Sequence, residues 1–407
     1  TLTLSPTTLP GGTLGVAYSQ TITASGGTTP YSFAVTAGSL PTGLVLTSAG
    51  VLSGTPTASG TYAFTITATD LFGSTGSQAY TLVIVGGARP DPAKDPDVVG
   101  IETATNSVVR IFAENPMRTV DRRMDSLHDL EKGCGWWISD TTRSGGRGSD
   151  AQGSSQSFRV NGLTLGGDCP TSHHLAFGLA LGYDRNRQDI GVHGSQVYGQ
   201  AKSGIGYGSF HPTLPFFIDG SIGHQRINLQ TRRALPGSDS MVEGERSGQQ
   251  TFSSWTGGYR MKRTGWEIDG YSRIDVAKAR LDGYSEDGDP TQALRYGDES
   301  IDTRTRTVGV RGKFQHKSRW GMVEPRMRVE FLHDFRLQGG TSIQYVDQPF
   351  GPEYFLAPQT DGGDRRFVEL GVVLNTRRVT LNLQYLGTFG GLYGNDRGWT
   401  LTFQNSR

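Results

Sequence analysis

Beyond residue 132 the chain is written in a period of two, and that period limits it to β-structure. In 266–276, Trp266, Ile268, Ile274 and Val276 share one side, while Glu267, Asp269, Tyr271, Arg273 and Asp275 share the other. In 323–331, Val323, Met327, Val329 and Phe331 oppose Glu324, Arg326, Arg328 and Glu330. Twelve segments of this kind follow one another: 133–141, 157–168, 173–188, 193–210, 214–229, 250–262, 265–281, 300–315, 319–336, 365–376, 378–388 and 396–404. An even number of antiparallel strands with a greasy and a charged face fits a transmembrane β-barrel with a wet lumen. A soluble sheet with one solvated face alternates in the same way. Connection lengths separate the two. The intervals 169–172, 211–213, 263–264, 316–318 and 377 are terse, whereas 142–151 and beyond, 230–249, 282–299 and 337–364 are long, with 189–192 a short exception. Short turns on one side and long loops on the other are the asymmetry of outer-membrane barrels. Trp136, Trp137, Trp266, Trp320 and Trp399 fall near segment ends, where interfacial aromatic girdles form. Apolar runs such as 175–181 are far shorter than the ~20 residues of a spanning helix.

Charge divides the chain. Of 39 basic and 38 acidic side chains, residues 1–89 hold one of each, Asp70 and Arg89. The net charge of +1 argues against a nucleic-acid partner. Pro90, Pro92 and Pro96, with Gly86 and Gly87, mark a linker over 87–100. Ahead of it, 1–86 reads as a β-sandwich with strands at 18–24, 31–35, 43–46, 60–69 and 78–85, where Tyr62, Phe64, Ile66 and Ala68 share a face. Thr1 opens straight into strand-like sequence, without a charged n-region, apolar h-region or cleavage site, so for an exported protein the signal is expected to have been removed.

The helical stretch is 101–131. Val108, Ile111 and Phe112, then Met117, Val120, Met124 and Leu127, have helical spacing. Asn115 as an N-cap with Pro116 at the first helical position predicts a break there. The second helix carries Arg118, Arg122 and Arg123 beside Asp121, Asp125 and Asp129, an unusual charge load for a core helix.

The segment 40–56, followed by 60–70, resembles the immunoglobulin-like repeats of bacterial surface proteins; the antibody-type Cys–Trp–Cys core is absent. The order helix, twelve strands, aromatic terminal strand resembles the translocator domain of monomeric type V autotransporters over 101–404. In the last strand Asp396, Gly398, Leu401 and Phe403 match that family's outer-membrane insertion signal, although Gln404 to Arg407 follow the aromatic. The resemblance implies an all-β protein: an immunoglobulin-like passenger at 1–86, a lumen helix at 101–131 and a 12-stranded barrel at 132–407. It implies export and anchoring of the passenger at the cell surface of a Gram-negative bacterium, for adhesion or as a spacer. The implied partners are membrane lipid and lipopolysaccharide, the outer-membrane insertion machinery, periplasmic chaperones and a surface ligand of the passenger. In that arrangement Arg118, Arg122 and Arg123 would meet lumen acids such as Glu267, Asp269 and Asp275. Cys134 and Cys169 would lie near the periplasmic rim of adjacent strands, as a disulfide or as two separate thiols.

Chemistry at a site is missing from the sequence. His173 and His174 point to opposite faces of a strand, Gly145 to Gly148 lacks the context of a phosphate loop, and no Gly-x-Ser-x-Gly elbow occurs. No catalytic residue, metal or cofactor is expected. Asn106 and Asn115 are isolated, so self-cleavage in the helix is not expected and the passenger would stay tethered. Two other readings remain at this point: a pore or transport barrel with an accessory N-terminal domain, and an enzyme such as an esterase carried by the passenger.

Overall fold

The computed structural model describes residues 2–405 except 88, 128–132, 149–153, 213–214, 236, 320, 336–338, 358–361, 377–378 and 392–393. Asp129, Trp320 and Arg377, named above, lie outside the described residues. Two compact units emerge: Thr1–Pro92 with 290–295 and 343–354, and the remainder.

Residues 2–92 hold nine strands: β1 (Thr3–Ser5), β2 (Gly12–Thr13), β3 (Tyr18–Thr21), β4 (Thr23–Ser25), β5 (Ser32–Gly38), β6 (Leu44–Leu46), β7 (Val51–Gly54), β8 (Gly60–Thr69) and β9 (Thr75–Val85). They form sheets in the orders β2-β9-β8-β5, β3-β7-β6 and β1-β4. The core is the inward half of each alternation: Leu52, Phe64, Ile66, Ala68, Leu82 and Ile84 are fully buried, joined by Ile22, Phe33 and Tyr80. Strands β1, β2 and β7 are additional to the five expected from sequence, because two- to four-residue strands leave too few periods to read. Arg89 pairs with Asp347 at 2.6 Å within this unit and lies over the Tyr345 ring.

The second unit opens with Asp95, whose Oδ1 accepts the Asp97 and Val98 N–H groups and caps helix α1 (Pro96–Leu127). The helix is continuous through Pro116, contrary to the break expected at Asn115–Pro116, and begins at Pro96, inside the stretch read as linker. An internal proline costs about 3 kcal/mol. Here the packing on both sides of it, described below, is extensive enough to hold the helix.

Twelve strands surround the helix: β10 (Gly135–Arg147), β11 (Gln156–Ser172), β12 (Leu175–Ile190), β13 (Ser195–Phe210), β14 (Phe216–Ala234), β15 (Met241–Arg263), β16 (Trp266–Leu281), β17 (Glu299–Phe314), β18 (Gly321–Asp334), β19 (Asp364–Asn375), β20 (Val379–Phe389) and β21 (Asn395–Asn405). Each pairs antiparallel with the next, and β10 pairs with β21 from Trp137↔Gln404 to Gly146↔Asn395, so the sheet closes. The interval 230–249, expected to be a loop, is mostly strand, since β14 and β15 run on as a hairpin to 235–240. The exposure pattern is inverted relative to a soluble protein. Leu179, Trp255 and Phe331 are 74%, 60% and 62% exposed, while Asp219 and Glu330 are 0% exposed. Only a hydrocarbon solvent outside and an occupied polar lumen inside make that arrangement favourable. Trp399 faces outward, but Trp137 is buried and donates to the Tyr207 hydroxyl, so it belongs to the lumen rather than to a girdle.

One acid in the first unit gives a direct test. Asp70 accepts the backbone N–H groups of Ser74, Phe72 and Thr28 at 2.8, 3.0 and 3.2 Å. Burial works to raise its pKa, but these bonds prevail and hold the carboxyl below its ordinary value. A depressed pKa adds stability that is present above the unfolded value, about 3.9, and is lost as pH falls through the folded one. Asp70→Asn is therefore expected to lower the urea midpoint of the N-terminal unit at pH 7. The gap to the parent chain should close progressively below about pH 4. Chymotrypsin cleavage at the buried Phe64 and Tyr80 reads out the unfolding; a gap independent of pH would refute the assignment.

Candidate functional site

The site is the filled lumen. α1 is about 48 Å long, enough to traverse a bilayer with its headgroups, and only Pro96, Val99, Glu114, Asp125 and Ser126 escape full burial. It enters at the end of the long loops, where Ser195 Oγ donates to Asp97 and Gln156 reaches the Gly100 carbonyl. It leaves at the end of the short turns, where β10 begins.

The helix is divided along its length. One face of its first half is apolar: Ile101, Ala104, Val108, Val109 and Phe112 cluster with Ile190, Val197, Ala201, Ile227, Leu229, Ala279, Leu281 and Ile301. Gly199 makes this possible, since a Cβ there would meet Val108 and Phe112 at 2.7 and 2.9 Å. The second half is ionic. Arg118 pairs with Glu330 at 2.9 Å, Arg122 with Glu369 at 2.7 Å and Arg123 with Asp168 at 2.6 Å. In the opposite sense, Asp121 meets Arg273 and Arg328, and Asp125 meets Arg311 and Arg328. Arg110 with Asp334, and Glu114 with Arg365, form the transition between halves. Glu330 is the hub, accepting also from Arg273 at 2.9 Å and the Tyr271 hydroxyl at 2.6 Å. Buried pairs of this kind fix geometry more than they add net stability, yet removing one partner leaves a costly unpaired charge.

The helix arginines therefore meet acids other than those named from sequence. Glu267 pairs with Arg260 and Lys313, Asp269 with Arg260 and Arg311, and Asp275 with Arg273, all within the barrel wall. Glu324 and Arg326 bind each other on β18 at 2.5 Å. Strand parity identifies inward positions but not height along the axis, and height selects the partner. Glu369 and Asp334 also stand at inward positions of alternating segments and were legible on that rule. Asp184 is a further inward acid; it accepts from Asn115 Nδ2, next to Gly162, which leaves the space for that contact. Pro116 follows with its ring inside the helix. Beside the last turns of α1 lies a polar cavity of about 360 Å³, lined by Arg122, Ser126, Ser139, Asn375, Asn382 and Thr402.

Two further features sit at the short-turn end and on the closing strand. Cys134 and Cys169 are joined as a disulfide, with Cα atoms 4.1 Å apart. On β21, Asp396 and Gly398 point inward, Asp396 paired with Arg143 at 2.6 Å, while Leu401 and Phe403 lie on the outward face with Trp399. Among the described residues no group of His, Cys, Asp and Glu has the arrangement of a metal site.

Residues 136–386 match the family described as Autotransporter beta-domain, and residues 1–85 match that described as Putative Ig domain. Esterase EstA of Pseudomonas aeruginosa is 24% identical over 200 residues, 47% of this chain and 30% of that protein, and EstA of Pseudomonas putida matches equally. The chain thus spans less than a third of the length of these relatives. Among solved structures, the translocator domain of NalP from Neisseria meningitidis is similar with a TM-score of 0.57 and 15% identity, covering 75% of this chain and 99% of that one. The beta domain of the Bordetella autotransporter Brka follows with a TM-score of 0.50, 16% identity and coverage of 68% and 100%. Both show the barrel-with-helix fold.

The hub acid supplies the test of the plug. Glu330→Gln removes a carboxylate shared by three buried arginines, Arg118, Arg273 and Arg328, and is expected to destabilise the barrel by about 3–5 kcal/mol. Arg232→Ala, which removes a pair with Glu243 that is more than half exposed on both sides, should cost under about 1 kcal/mol. The temperature at which the folded band is lost in SDS gels measures both.

Proposed function

The chain belongs to the autotransporter β-domain family, and on that premise we propose that the barrel exports residues 1–85 and anchors them at the cell surface as a tethered immunoglobulin-like passenger. The family is one of outer-membrane proteins, and a closed sheet with an apolar exterior suits that membrane. The observation that carries the proposal is the direction of α1. It runs from the long-loop end to the short-turn end, so the chain ahead of Pro96 leaves the lumen on the side of the long loops. In an outer-membrane barrel that side is extracellular.

The occupied bore supports export followed by plugging rather than a standing pore. The apolar collar around Phe112 excludes water, and the ionic section below it locks the helix in register. The barrel wall is a translocator fold without enzymatic chemistry of its own. Esterase activity is a property named for EstA, and the passenger here matches an Ig family instead. Adhesion or spacing is the surface role that such a nearly uncharged sandwich suits. Residues Asp396, Gly398, Leu401 and Phe403 serve as the signal read by the insertion machinery, and periplasmic chaperones escort the unfolded barrel. The Cys134–Cys169 bond ties the first hairpin at the periplasmic rim, where disulfides form.

Protease added to intact cells is expected to remove residues 1–90 and leave the rest of the chain protected. Survival of the N-terminal unit until the outer membrane is permeabilised would refute display. In planar bilayers, deletion of 96–127 should raise conductance well above that of the full chain; a large open conductance in the full chain would favour a transport pore.

A further inference from the structure

On the lipid-facing side of the wall, one strand lacks the usual bulk. The outward positions of β13 next to the short-turn end are Gly204, Gly206 and Gly208 in succession, ending at Phe210. Their cross-strand neighbours are Leu181, Leu179 and Phe177 on β12 and His224, Ile222 and Gly220 on β14, with Trp255 of β15 opposite Gly220. Toward the short turns, from Gly206 to Phe210, this face opens into an apolar groove of about 750 Å³ that spreads from β11 to β15 and is lined by Leu175, Phe177, Leu179, Phe210, Ile222 and Trp255. The space is open over the first two glycines, where a Cβ on Gly204 would meet nothing within 4 Å and one on Gly206 only Leu179 at 3.8 Å, whereas at Gly208 the Phe177 ring would stand 3.0 Å from it. Alternate outward positions lie roughly 7 Å apart along a strand, so the bare strip over Gly204 and Gly206 suits a stretched acyl segment.

Beyond Gly204, away from the short turns, the same outward face is positively charged. Lys202, the next outward residue of β13, lies directly opposite Arg226 of β14, and both are exposed. Arg185 stands on the diagonal, its guanidinium over the Tyr183 ring and its Nε donating to the Tyr183 hydroxyl at 2.9 Å. Like charges directly opposite each other on a sheet repel. Among the described residues neither Lys202 nor Arg226 makes a hydrogen bond or ion pair. The cross-strand residues in their row and in the two rows beside it, from β12 to β14, include no acid: Tyr183, Leu181, Gln200, Asn228 and His224 join those already named. Lys202 is eight residues from Phe210, and a lipid-facing band needs only about nine to eleven. The pair therefore stands at the outer boundary of the hydrocarbon, where a phosphate would neutralise both cations through charge-assisted hydrogen bonds.

We infer that this face binds one phosphorylated glycolipid of the outer leaflet, with the phosphate between Lys202 and Arg226 and an acyl chain lying over Gly204 and Gly206. Assigning the leaflet rests on the topology proposed above. Binding itself does not, so the two fail separately.

The test uses the full chain folded in detergent, with native mass spectrometry as readout and three probes: hexa-acylated diphosphoryl lipid A, the same lipid dephosphorylated, and phosphatidylglycerol. The parent chain is expected to take one diphosphoryl lipid A saturably. It should bind the dephosphorylated form and phosphatidylglycerol much more weakly. At about 1 kcal/mol per basic residue, Lys202→Gln with Arg226→Gln should weaken diphosphoryl lipid A about thirtyfold and abolish the preference for phosphate. Gly206→Leu, which fills the groove while leaving both cations, should weaken both forms of lipid A alike. Heat-modifiable migration in gels establishes that each variant is folded. Equal binding of the two lipid A forms by the parent chain, equal binding of phosphatidylglycerol, or parental affinity in the folded double variant overturns the inference. Loss of surface display with lipid A binding intact would remove the export reading and leave the site.

Discussion

Polar side chains on the inner face of a closed wall must find partners, and in this protein the partner is the helix. Twelve strands put every second side chain into a lumen from which lipid is excluded, and many of those side chains are ionised. Glu330, Glu369 and Asp168 each hold a helix arginine, while Arg273, Arg311 and Arg328 hold the helix acids. Without α1 these groups would face a water-filled bore; with it, charge on one element is matched by charge on the other. A helix this polar would not remain buried in an ordinary protein core.

The two halves of the plug do different work. Around Val108 and Phe112 the contact is dispersion and water exclusion, made close by Gly199 and Ala201. From Arg110 to Asp125 the contact is directional, and directional contacts set rotation and height. A sliding helix would lose several ion pairs at once, so the ionic half acts as a register lock and the apolar half as a seal. The cavity beyond Ser126 shows that the seal does not extend to the short-turn end.

Much of the architecture was legible because it follows from parity. Alternation in 266–276 and 323–331 separated lipid-facing Ile268, Ile274, Met327 and Phe331 from lumen-facing Glu267, Asp269, Arg273, Glu324, Arg328 and Glu330, and the contrast of short and long connections distinguished a barrel from a soluble sheet. Where local rules competed with packing, the reading went astray. An N-cap followed by proline was read at Asn115–Pro116, yet the same signature at Asp95–Pro96 is the one that starts the helix. The local cost of an internal proline was outweighed by the lumen contacts on both sides of it. The hairpin at 230–249 was hidden because polar residues occupy both faces once a strand projects beyond the membrane.

The amino-acid sequence by itself determined the twelve strands of the barrel, the faces of those strands and the charged character of the helix, since each depends only on neighbours along the chain. Tertiary structure decided which charges pair, that the helix continues through Pro116, that Trp137 turns inward, and that Gly204 and Gly206 lie beside Leu181 and Leu179 on the same outward face as Lys202 and Arg226. These depend on inter-strand register and on height along the barrel axis, which are fixed only when the sheet closes and β10 meets β21.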